Sequence, residues 1–149
     1  MFFLPNDKKI DMDMLEQAFL DQNLSNHYFL DLKNGMIENV LEMEDENADR
    51  KLENMEENRL LPIPQLETYE KYDWMVDFSC DIIGGKDKNL KEKLEIALDG
   101  KGAFRRFKDV LARESVDLLE EWYKYENDRL YIEIKAWFAE LELGIRESG

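Results

Sequence analysis

Ten consecutive residues, Gly100-Lys101-Gly102-Ala103-Phe104-Arg105-Arg106-Phe107-Lys108-Asp109, carry the strongest chemical signal in the chain. From Lys101 to Arg113 five cations (Lys101, Arg105, Arg106, Lys108 and Arg113) stand with one acid, Asp109, in a protein whose formal net charge is −15. Glycines on either side of Lys101 mark a tight backbone turn, and the apolar residues that follow recur at helical spacing. A turn of this kind sends backbone N–H groups and cationic side chains to one side, which suits a carboxylate, a phosphate or an acidic helix. The block is not a nucleotide P-loop, which needs a longer glycine-rich loop and a Ser or Thr after its lysine; Gly102-Ala103 follows Lys101 here. On a helical wheel Phe104, Phe107, Val110 and Leu111 share one side and Arg105, Arg106, Lys108 and Arg113 the other, so the aromatic residues belong to a core.

The natural counterpart within the chain is an acidic stripe. Glu70, Asp73, Asp77 and Asp81 recur at spacings of three, four and four, with Tyr69, Tyr72, Val76, Ser79, Cys80 and Ile83 opposite. Neighbouring carboxylates repel by a few tenths of a kcal/mol per pair, on the order of a helical i,i+4 interaction, so the stripe is a local cost. It reads as a solvated face, a dock for the arginines or, least favoured, a divalent-cation site, whose ligands normally converge from several elements. Of the two arginines, Arg106 lies nearer the apolar side and is expected to pair with Asp77, while Arg105 is expected to face outward. Trp74 sits beside the stripe, off the apolar face, as a second binding candidate or a packing residue.

Catalytic chemistry has little support. His27 is the only histidine and Cys80 the only cysteine, so a Ser-His-Asp triad would depend wholly on His27. Cys80 reads as a small buried residue. The chain's 35 acidic residues make any chosen carboxylate pair uninformative as an acid/base couple.

The elements that must position these residues follow from periodicity. Asp11 is the N-cap of a helix over Met12–Asp21, with Met14, Leu15, Ala18 and Phe19 as its apolar stripe. His27 to Leu41 reads as a β-hairpin around Asn34-Gly35, with Tyr28, Leu30 and Leu32 on one face. A two-residue loop would set Asp31 opposite Glu38, so a three-residue loop over Lys33-Asn34-Gly35 with a bulge is preferred. Because two strands alone are marginal, the hairpin must pack on a helix or pair with another strand. Residues 44–60 form an acidic linker with little apolar surface to offset its ordering entropy, the expected most mobile internal segment. Both residues that precede a proline in Leu61-Pro62-Ile63-Pro64 are kept extended. Beyond Pro64 everything reads as helix: Leu66–Ile83, stopped by Gly84-Gly85; Asn89–Leu98, ended by Gly100; Ala103–Glu114; a turn capped by Ser115 through Trp122; and a last helix with Leu130, Ile134, Trp137 and Leu141 inward. Phe104, Phe107, Leu111, Trp137 and Leu141 are expected in one core.

The order Pro62, Tyr72, Met75, Phe78, Leu94, then the Gly100–Asp109 block, then Trp122-Tyr123 and Trp137 resembles the bacterial uncharacterised protein family numbered 0158. The resemblance runs from about the first helix to Ile145 and is weakest in the acidic linker. One departure stands out: where an aromatic-basic pair is expected after Trp122-Tyr123, the chain has Tyr125-Glu126. The family brings no established activity, so the resemblance implies a domain rather than a function.

At 149 residues, 44% hydrophobic and 37% charged, the chain is expected to be one α+β domain, mainly helical. Its N-terminal helix and hairpin (residues 1–43) would pack on a C-terminal helical unit (residues 61–145). The acidic balance disfavours nucleic acid and anionic membranes. A single cysteine, a start too short for a signal peptide and no membrane-length apolar run point to a soluble cytoplasmic protein. The leading expectation is a non-enzymatic interaction or regulatory protein, with no cofactor, metal or catalytic residue. It would bind an acidic partner protein or a phosphate-bearing ligand through Gly100, Lys101, Gly102, Arg105, Arg106, Lys108 and Trp74, and a homodimer is compatible with it. The alternatives are a helix-turn-helix nucleic-acid binder and an enzyme handling a phosphorylated small molecule.

Overall fold

Asp11 starts the first helix as its spacing requires: its carboxylate accepts from the Met14 amide at 3.2 Å and satisfies one of the N–H groups a helix start leaves unpaired. In this computed structural model, which describes residues 1–23, 25–41 and 59–148, that helix (α1) spans Met12–Leu20 and buries Leu15, Ala18 and Phe19. The fold is α+β and mainly helical, and the chain packs as two units: residues 1–66 with 134–149, and residues 67–133. Most of the expected acidic linker lies outside the described residues. Its last two residues, Arg59 and Leu60, are described, and Leu60 opens a strand.

The first unit holds a three-stranded antiparallel sheet in the order β3-β2-β4, formed by β2 (Asn26–Asp31), β3 (Ile37–Leu41) and β4 (Leu60–Pro62). The third strand supplies the partner that the hairpin needed, and Pro62 lies in its edge strand, where a missing N–H is tolerated. With β2 in the middle, Phe29 and Leu30 are both buried, so both faces of the strand are covered. The hairpin loop is four residues, Leu32–Gly35, not three: Phe29 faces Glu38 and Leu30 faces Ile37. The Asp31 N–H donates to the Met36 carbonyl at 2.9 Å and the Gly35 N–H to the Asp31 carbonyl at 2.8 Å. Asp31 explains the register. Its carboxylate accepts from the Lys33 amide at 2.9 Å, organising the turn, and receives Arg59 through two hydrogen bonds of 3.1 and 2.9 Å.

Burial alone would push the Asp31 carboxyl up, but the bonds from Arg59 and the Lys33 amide outweigh it and hold it below the usual carboxylate value. A carboxyl depressed in the folded state contributes stability that is present above its unfolded value, about 3.9, and is lost as pH falls through the lower folded value. The urea midpoint of the wild type should therefore exceed that of Asp31→Asn at neutral pH, and the gap should close below about pH 4. A gap that stays constant from pH 7 to pH 2 would show that the ion pair does not set the loop.

Elsewhere in this unit, Asp21 closes α1 onto the sheet. It accepts from the Tyr28 hydroxyl at 2.5 Å, the Asn23 amide at 2.8 Å and the Asn26 side chain at 2.8 Å. The Tyr28 bond leads in holding its carboxyl below the usual value. Burial, with this contact, pushes the Tyr28 hydroxyl up to about 12. The chain ends meet in a small antiparallel pair, β1 (Phe2–Phe3) with β5 (Arg146–Glu147). Phe2 packs edge-on against Phe138 with ring centroids 5.0 Å apart, and Phe19 against Trp137 at 5.8 Å.

The second unit begins with α2 (Thr68–Asp77), started by a reciprocal capping box in which Glu70 accepts from the Glu67 N–H at 3.0 Å. It does not continue as α-helix to Ile83. Phe78–Ile83 is a π-helical segment, in which the Gly84 N–H reaches the Ser79 carbonyl at 2.9 Å. The wider turn changes which residues point inward by about a quarter turn. The expected burial of Cys80 falls with it, and the residue is exposed. Trp74 is only 5% exposed and buried beside Met75 and Phe78, whereas Tyr69 and Tyr72 face out. Trp, Met and Phe present more purely apolar area than two tyrosines, whose hydroxyls keep them serviceable at a surface.

After α3 (Lys88–Ala97) and α4 (Ala103–Glu114), Ser115 accepts from the Asp117 N–H at 3.2 Å. It opens one continuous helix, α5 (Val116–Leu141), rather than a turn and a separate last helix. No glycine or proline interrupts Val116–Leu141. Phe107 and Leu111 are fully buried in the second unit, where Phe78, Phe107, Trp122 and Tyr125 form an aromatic cluster with centroids 5.1 to 6.2 Å apart. Trp137 belongs to the first unit with Phe19 and Phe138, and Phe104 and Leu141 are half-buried. The single core expected for these residues is thus two.

Candidate functional site

The basic block sits where α3 turns into α4. The Asp87 carboxylate caps α3 through the Leu90 amide at 3.1 Å, and Leu90, Leu94, Ala97 and Leu98 are its buried face. The chain then reverses through Leu98–Gly102. Gly100 and Gly102 have φ of +81° and +76°, a left-handed conformation that a Cβ would strain. A Cβ at residue 102 would also stand 3.2 Å from the Arg106 guanidinium. Gly102 is the N-cap of α4 and offers no side chain to the first-turn N–H groups.

Arg106 does not reach the acidic stripe. Its Nε donates to the Ala97 carbonyl at 3.0 Å, and its two Nη groups donate to the carbonyls of Lys101 and Asp99. One guanidinium thus satisfies carbonyls that the end of α3 and the glycine turn leave without helical partners. Asp77, its expected partner, instead holds Arg129 at 3.2 Å, and Arg129 also donates to the Tyr125 hydroxyl at 2.6 Å. Arg106 is therefore structural, as its position nearer the apolar side implied, but its partners are main-chain carbonyls.

Arg105 is the opposite case. Its side chain is 91% exposed, with only Asp109, one helical turn on, at 3.9 Å. Such a pair in water contributes little. Lys101 is exposed and Lys108 half-buried, and neither forms an ion pair among the described residues. Lys101, Arg105 and Lys108 are thus cations of the block with at most a weak ion-pair partner among the described residues. Buried Trp74 is no exposed anchor.

A contact that periodicity alone did not reveal lies alongside. The Lys71 ammonium stands 5.5 Å from the centre of the Phe104 ring and 3.8 Å from Glu126, with both charged side chains mostly buried. The signal available in the sequence was Glu126 itself, an acid where a basic residue was expected. Between α3 and α4 runs an open groove of about 550 Å³, with Ile96, Ala97 and Val110 as its apolar surface and Lys93 and Arg113 among its rim residues. Among the described residues no three His, Cys, Asp or Glu side chains cluster as metal ligands would. No helix of the described residues is long and apolar enough to cross a membrane. The arrangement sets exposed cations beside a helix start whose N-cap makes no side-chain hydrogen bond.

A model of the Uncharacterised protein family (UPF0158) matches residues 7–147. The chain is also similar to UPF0158 protein PA5073 of Pseudomonas aeruginosa, 37% identical over 122 residues that span 81% of this chain and 75% of that protein. No solved structure matches it significantly.

Proposed function

As the chain belongs to the Uncharacterised protein family (UPF0158), we propose for it a non-enzymatic cytoplasmic role as an interaction or regulatory module that binds an acidic partner through the α3–α4 turn. The single observation that carries this reading is the division of labour between two adjacent arginines. Arg106 is consumed by carbonyls and fixes the turn, while Arg105, Lys101 and Lys108 are held out from it without strong internal partners. A cation whose only neighbour is a surface acid one turn away adds little stability, so its local concentration in a chain of net charge −15 is better explained by contact with something else. Because screening confines charge effects to about 8 Å at physiological salt, a local basic surface acts independently of the distant acids.

Calorimetric titration with polyglutamate, a defined acidic polymer, tests the reading. Binding should be salt-sensitive and should fall by about tenfold or more in a Lys101→Glu, Arg105→Glu, Lys108→Glu variant whose melting temperature is unchanged. Binding that survives the triple reversal, or none to the wild type at low salt, would refute it.

A further inference from the structure

We propose that the groove between α3 and α4 seats an acidic amphipathic helix of a partner protein, with the partner's apolar edge on Ile96 and Val110 and its carboxylates on Arg113 and Lys93. This rests on the reading above and names the kind of partner that the basic turn serves. Ile96 is the starting observation. Leu90, Leu94 and Ala97 make the buried stripe of α3, yet Ile96, outside that stripe, is 75% exposed. It stands at the groove together with Ala97 and Val110, so its apolar surface is continuous with that of two neighbours rather than isolated.

The charges around that surface favour an anionic occupant, three cations against two acids. Lys93, Arg106 and Arg113 line the groove with Asp109 and Glu114. Arg106 is committed to carbonyls, Lys93 meets Glu114 only at 4.0 Å with both side chains largely exposed, and Arg113 forms no ion pair among the described residues. An incoming carboxylate therefore meets one unpaired guanidinium and one weakly held ammonium. Lys101, Arg105 and Lys108 of the same turn and helix extend the basic surface beyond the groove.

The mode follows from shape. A small molecule is normally buried over most of its surface, which an open groove cannot do, whereas a helix laid in a groove needs only a row of apolar anchors and a charged flank. The Arg106 clamp holds α3 against the start of α4, so the groove is formed before any partner arrives, and ordering it adds no penalty to binding.

The test uses a synthetic helical peptide with leucines at i, i+3, i+4 and i+7 and glutamates on the flanks, beside a control in which glutamine replaces each leucine. By fluorescence anisotropy the leucine peptide should bind the full chain about tenfold or more tighter than the control. Ile96→Glu should remove that difference while leaving polyglutamate binding unchanged. Arg113→Glu, at an exposed position, should weaken the leucine peptide similarly and covers the case in which Ile96→Glu perturbs α3. Equal binding of the two peptides, or indifference to both substitutions, overturns the groove while the basic-turn reading stands. Loss of all binding, polyglutamate included, from the wild type overturns both. Self-association of the wild type, seen by sedimentation and abolished by Ile96→Glu, would overturn the proposal by making a second copy the occupant.

Discussion

Replacing Phe107 by alanine is expected to lower the stability of the protein by about 3 to 5 kcal/mol, read from the urea midpoint at constant slope. Phe107 is fully buried and meets Trp122 edge-on at 5.1 Å and Phe78 at 6.2 Å, so its removal takes away both transfer energy and two ring contacts. The neighbours are large, rigid rings fixed on separate helical segments, which limits how far the site can collapse around the void. A loss below about 1 kcal/mol would mean that α4 does not direct this residue inward. Within the same cluster the Trp122 indole N–H is buried with no acceptor among the described residues.

Arg106→Ala is expected to cost about 1 to 3 kcal/mol, against less than about 0.5 for Arg105→Ala. The lower end reflects solvent: two of the three carbonyls that Arg106 serves are exposed and water can replace the guanidinium there, whereas the Ala97 carbonyl is partly buried. Arg106→Lys should recover only part of the loss, because an ammonium cannot span carbonyls from Ala97, Asp99 and Lys101 in one plane. Equal effects at residues 105 and 106, by thermal or urea unfolding, would contradict the division between them. A double-mutant cycle of Arg106→Ala with Asp77→Ala should show no coupling, since Asp77 belongs to Arg129.

Much of the helical framework was legible because it rests on local rules. Ala103–Glu114 begins after a glycine N-cap and ends before Ser115, and Asp11 and the Leu61-Pro62-Ile63-Pro64 run are short-range signals that tertiary packing had no reason to override. The hairpin was visible but its register was not. A four-residue loop depends on Asp31 recruiting Arg59 from 28 residues away, which no local pattern encodes. The π-helical segment was illegible for a related reason. Its sequence, Phe78-Ser79-Cys80-Asp81-Ile82-Ile83, suits an α-helix equally well, and the wheel drawn without it misplaced Cys80. Of the two readings open to Trp74, the packing one is what its burial supports. In the block itself, the wheel told an outward Arg105 from a structurally engaged Arg106, but the ion pair expected between Arg106 and Asp77 is absent. What Arg106 binds was hidden because backbone carbonyls leave no mark in a list of side chains.

The most direct measurement is a residue-resolved one: an amide chemical-shift titration of the isotopically labelled protein with polyglutamate. Salt-sensitive shifts concentrated at Lys101–Lys108 are expected, with Arg105→Glu suppressing them while the rest of the spectrum stays in place. Shifts spread evenly over the surface, centred on another element, or unchanged in Arg105→Glu would contradict the claim that this turn is the recognition surface.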